Sequence, residues 1–137
     1  MVTLATIEDA IVQRLKDDEA VAFKDTFIIV GSVDDRENNA LMTSGGIAVM
    51  YAGSTKLRDG VHGRPFLRTA VFVVMIGRKM IGRESRLTHD IESVVEALTK
   101  EPINGLQLEW RDDRFALTRN QVAWHDVTFT LQLAVQP

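Results

Sequence analysis

The chain has no cysteine among its 137 residues, which removes disulfides, thiolate nucleophiles and thiolate metal sites at once. It also lacks any apolar run of about eighteen residues and any low-complexity block, so neither a spanning helix nor a disordered chain is expected. Excess positive charge is missing too. Sixteen Lys and Arg stand against 19 Asp and Glu, for a formal charge of -3, which argues against attraction of the whole surface to nucleic acid or anionic lipid. Neither a membrane nor a sequence-specific nucleic acid is therefore an expected partner. The opening MVTLATIEDA has no basic segment and spaces its apolar residues, unlike a signal peptide, so folding in a cytoplasm is the default expectation.

What is present is an average globular composition, 45% apolar and 26% charged. A single domain over residues 1–137 is expected, one that hides about 65–70% of its unfolded surface. Leu4, Ile7, Ile11 and Leu15 recur at steps of three and four. With Thr3 or Thr6 as N-cap, they predict a helix from about Thr6 to Lys16. Phe27 to Val30 is a β-branched and aromatic run closed by Gly31, read as a strand. The polar stretch Ser32 to Gly45 has no period and is expected to be a long functional loop.

GGIAVMYAGST, Gly45 to Thr55, has an unbroken apolar centre, which predicts a strand buried on both faces. A second glycine-containing loop is expected from Gly53 to Pro65, followed by a central strand from Phe66 that Gly77 ends. Leu87, Ile91, Val94, Val95 and Leu98 form one helical stripe opposite Glu92, Glu96 and Lys100, a second amphipathic helix. In the tail, Leu106, Leu108 and Trp110 alternate with polar residues, RDDRF is a turn candidate, and Val127 to Val135 alternates again. The resulting expectation is an α+β fold, a mainly antiparallel sheet of five to six strands with two amphipathic helices packed on one face.

Chemistry-bearing patterns are sparse. Gly53-Ser54-Thr55-Lys56 lacks the first glycine of a Walker loop and leads into no helical period, so it ends a strand and cradles no phosphate. Asp34, Asp35 and Glu37 could hold a hard cation, but the spacing of a calcium loop is absent and an ordinary solvated loop is favoured. His62, His89 and His125 lie on different elements. In His89-Asp90 and His125-Asp126, neighbours in sequence diverge in space. No catalytic residue, cofactor site or metal site is expected. The densest positive cluster is Arg78, Lys79, Arg83 and Arg86, without interleaved aromatics for base stacking. It is read, with Lys56, Arg58 and Arg64, as a protein-contact surface.

IEDAIVQRLK (7–16), GGIAVMYAGST (45–55), RTAVFVVMIGRK (68–79), HDIESVVEAL (89–98) and the terminal WHDVTFTLQLAV together resemble the Mu-like prophage family of small tail proteins, which is associated with tail termination in contractile phages. The resemblance covers nearly the whole chain and carries no catalytic signature. It implies a ring, commonly of six copies, on the head-proximal end of the tail tube. Such a ring stops polymerisation and joins the tail to the neck, so its partners are other copies, the tube, the sheath and the connector. Localisation would be the virion tail, with assembly in the host cytoplasm. Two alternatives stand beside it: a head–tail connector subunit, and a metal-dependent hydrolase using Asp34, Asp35 and Glu37.

Overall fold

The first helix, α1 (Leu4–Asp17), begins where Thr3 can cap it. The Thr3 hydroxyl accepts from the Thr6 N–H at 3.2 Å, and the Thr6 hydroxyl accepts from the Thr3 N–H at 2.9 Å. This reciprocal pair satisfies two amide donors that have no partner inside a helix. Thr3 is thus the cap and Thr6 lies inside the helix, which starts two residues before the predicted boundary. Ile7, Ile11 and Leu15, the predicted stripe, are fully buried.

The computed structural model of the chain describes residues 3–21, 26–28, 45–58, 66–79, 87–119 and 121–135. Beyond α1 it contains β1 (Thr26–Ile28), β2 (Gly46–Arg58), β3 (Phe66–Lys79), α2 (Leu87–Thr99), β4 (Glu109–Arg119) and β5 (Val122–Val135). The sheet order is β1-β2-β3-β5-β4, with β1 parallel to β2 and every other pair antiparallel. Among the described residues the fold is α+β with two helices. Its antiparallel part, among the same residues, comprises four strands, where five to six were expected, because β1 is a three-residue parallel edge. The predicted loops at Ser32 to Ser44 and Asp59 to Pro65 lie outside the described residues.

Alternation along the strands divides the sheet into two faces. Ile47, Val49, Phe72, Val74, Ile76, Val127, Phe129 and Leu131 pack beneath α1 and α2, where they meet Ile7, Ile11, Leu15, Val94 and Leu98 in one core. On the other face Ala48, Met50, Val73, Met75, Val122 and Trp124 form a second, smaller cluster. The expectation that β2 is buried on both sides is met, since Ile47, Ala48 and Val49 are all fully buried.

Three predicted boundaries are corrected. β2 does not end at Gly53 but runs to Arg58, absorbing irregularities at Tyr51/Gly53 and Lys56/Arg58. Bulges of this kind bend a strand without ending it. Nor does Gly77 end β3, which continues to Lys79. The Trp124 indole lies against Gly77, and a Cβ there would stand 2.7 Å from the ring. Gly45 is required for a related reason: at φ +82°, its added Cβ would come within 2.5 Å of the Gly77 carbonyl oxygen. RDDRF is not a turn; it is the middle of β4. The reversal falls later, between Arg119 and Val122, with Gln121 at φ 65°.

Candidate interaction surfaces

The seven cations proposed as a contact surface do not converge among the described residues. Lys56 lies opposite Arg68 in the β2–β3 register, and Arg78 is ten residues further along β3, about 33 Å away at the rise of an extended strand. Lys56 and Arg58 therefore occupy one end of the hairpin, Arg78 and Lys79 the other. Arg64, Arg83 and Arg86 lie outside the described residues.

Arg78 is engaged inside the fold. Its Nε donates to Asp90 Oδ2 and its Nη2 donates to Asp90 Oδ1 at 2.9 Å, with the carboxylate only 3% exposed. The hydrogen bonds to Asp90 push the Arg78 guanidinium further above its ordinary range, with burial opposing and the carboxylate's charge assisting. Asp90 is in the first turn of α2, where the helix dipole also favours an anion. This two-pronged pair fastens the end of β3 to the start of α2. Arg14 does the same at the other end of α2, donating to the carbonyls of Ala97, Glu101 and Pro102 at 3.4, 3.2 and 3.0 Å. Lys79, by contrast, is exposed.

The histidine–aspartate pairs separate as expected. Asp90 turns to Arg78, while His125 Nε2 meets Asp113 Oδ1 across the β4–β5 ladder at 2.8 Å. Among the described residues no three His, Asp or Glu side chains gather as metal ligands do. The candidate cation ligands Asp34, Asp35 and Glu37, and His62, lie outside them.

An open groove of ≈ 430 Å³ between α2 and β4 was not anticipated. Ile91, Val95, Thr99 and Trp110 form its floor; Glu92, Glu96 and Asp113 stand at its rim. Trp110 pairs with Phe129, and Phe115 with His125, so both β4 aromatics project to the helix side. They are nonetheless 48% and 59% exposed, because β4 is the outermost strand and α2 covers only part of it. Its residues 109–114 are charged except for the tryptophan, as befits an edge strand guarded against open-ended pairing. That mixture of charge and aromatics was the signal available in the sequence. On the opposite face Val71 and Val73 together with Thr55, Arg111, Arg114 and Asp126 line a second concavity of ≈ 470 Å³.

No known family profile matches the chain, and no curated protein does. Among solved structures, the chain is similar to a chain of the virion of a native gene transfer agent particle. The likeness spans 95% of this chain and 94% of that one, with a TM-score of 0.63 and 14% identity. The two share a fold over essentially their full lengths.

Proposed function

We propose that the protein is a structural subunit of a phage-like particle and, more particularly, a tail terminator. In this reading copies form a ring, commonly of six, on the head-proximal end of the tail tube. The ring halts polymerisation of tube and sheath and offers its other side to the neck. The observation that carries the reading is the fold shared end to end with a chain of a gene transfer agent virion. The exposed aromatics of β4 support it, since an outer strand with Trp110 and Phe115 in solvent is suited to burial by a partner. The subunit makes and breaks no bond. Its place is the virion tail, reached from the host cytoplasm where the particle assembles.

Within this reading Lys56, Arg58, Arg64, Lys79, Arg83 and Arg86 contact the tube or a neighbouring copy at more than one surface, Lys56 and Arg58 standing at one end of the hairpin and Lys79 at the other, and Arg78 supports the end of β3 from within by holding α2 against it. The test is to add the purified protein to tail tube subunits during polymerisation and measure tube lengths by electron microscopy. Shortened tubes capped at one end are expected. Tubes of unchanged length, with the protein bound instead to the head connector, would move it to the neck.

A further inference from the structure

We propose that Asn104–Gly105 is a site of spontaneous covalent modification, at which the asparagine closes to a succinimide and opens with water to aspartate and isoaspartate. Ile103 to Leu106 is a two-residue turn on the path from α2 to β4. The Ile103 N–H donates to the Leu106 carbonyl at 2.7 Å and the Leu106 N–H to the Ile103 carbonyl at 2.9 Å. Between them Asn104 has φ 51° and Gly105 φ 78°. A reversal this tight needs left-handed backbone at both central residues, and Asn-Gly is the pair that meets the demand most readily. The same pair supplies the reacting atoms, a side-chain amide carbon and the backbone nitrogen one residue on.

The fold leaves those atoms open to reaction. Asn104 and Gly105 are both exposed. Among the described residues no group accepts from the Gly105 N–H. A Cβ added at Gly105 would meet nothing within 4 Å, so the nitrogen is unhindered. The Asn104 amide is held by Nδ2 donating to the Thr6 carbonyl at 3.4 Å, a long bond. Attack by the Gly105 nitrogen on Asn104 Cγ forms a C–N bond; the Cγ–Nδ2 bond breaks, and Nδ2 leaves as ammonia with the proton that the Gly105 nitrogen gives up. Water then opens the ring. Cleavage at Cγ returns the original backbone with aspartate, and cleavage at the Asn104 backbone carbonyl leads the chain through Cβ and Cγ as isoaspartate. No electrons are gained or lost. Either product adds a negative charge at neutral pH and replaces the donor to Thr6 by a carboxylate. Isoaspartate also lengthens the turn by one backbone atom. The other asparagines, Asn38, Asn39 and Asn120, precede Asn39, Ala40 and Gln121, whose side chains crowd the attacking nitrogen.

The reaction needs no partner copy and no particle, so its outcome is independent of the terminator reading. The test is to hold the full-length protein well below its melting temperature, follow its intact mass, and locate the change by peptide mapping with fragmentation. A gain of about one dalton is expected, an NH₂ exchanged for an OH, appearing first at Asn104 and accompanied there by isoaspartate. Its rate should rise with pH, because attack requires loss of the Gly105 amide proton. A synthetic peptide covering residues 100–109 sets the unrestrained rate. The folded chain should be at most about a hundredfold slower, since one side-chain bond and one turn bond must open, each a factor of about ten at most. Asn104→Gly keeps the left-handed turn and removes the reacting amide, so this variant should melt like the unaltered chain and show no gain at the site. A gain that appears first at Asn38, Asn39 or Asn120 would overturn the proposal. So would a slowing beyond about a hundredfold, or a total gain undiminished in Asn104→Gly.

Discussion

Strands β3 and β4 belong to one sheet and answer to different demands. β3 sits in the middle, paired on both sides, and from Phe72 to Ile76 every residue is buried, Phe72 and Val74 beneath the helices and Val73 and Met75 on the other face. Among the described residues β4 is paired on one side only; it carries Asp112, Asp113 and Arg114 in succession and leaves Trp110 and Phe115 substantially in solvent. In β3 large side chains serve folding. In β4 they stand about half in solvent, on a strand whose pairing leaves them only partly covered.

That contrast makes graded predictions. Phe72, fully buried and with its ring centroid 5.6 Å from that of Tyr51, should cost about 3–5 kcal/mol when replaced by alanine. Urea unfolding would measure it, and a loss below about 1 kcal/mol would deny β3 its central role. Asp90→Ala leaves the Arg78 guanidinium without its buried partner and should cost about 1.5–3 kcal/mol. Because Arg78 is raised above its ordinary range, its side of the bond is fully present below that range and is lost only at extreme alkalinity. The penalty should therefore be constant between about pH 7 and 10, which melting at several pH values would check.

Gly77→Ala places a methyl group against the Trp124 ring. It should cost about 1–3 kcal/mol and alter the near-ultraviolet dichroism of that indole. Trp110→Ser in β4 should change monomer stability by about 0.5 kcal/mol or less, yet reduce self-association measured by sedimentation velocity. A large loss of stability from this change would erase the distinction between the two strands.

Much of the architecture was legible because local patterns and burial agreed. The steps of three and four in α1 and α2, the unbroken apolar centre of β2 and the alternation of Val127 to Leu133 all correspond to what the fold buries. Glycine and charge misled where a neighbour far along the chain decides their meaning. Gly77 reads as a stop because nothing nearby shows that Trp124 will lie across it. RDDRF reads as a turn because an edge strand may carry charge on both faces as freely as a loop does. Of the cations read as one surface, the described ones stand apart for the same kind of reason: Arg78 found Asp90, and the extended hairpin carried Lys56 away from Lys79.

Residue order along each segment sufficed for helix, strand and class, since amphipathic period is a property of neighbours a few residues apart. The groove between α2 and β4, the partnering of Arg78 and the exposure of Trp110 belong to the assembled sheet alone. They depend on which strand lies outermost and how far a helix reaches over it, and those are set by pairings between residues distant in sequence.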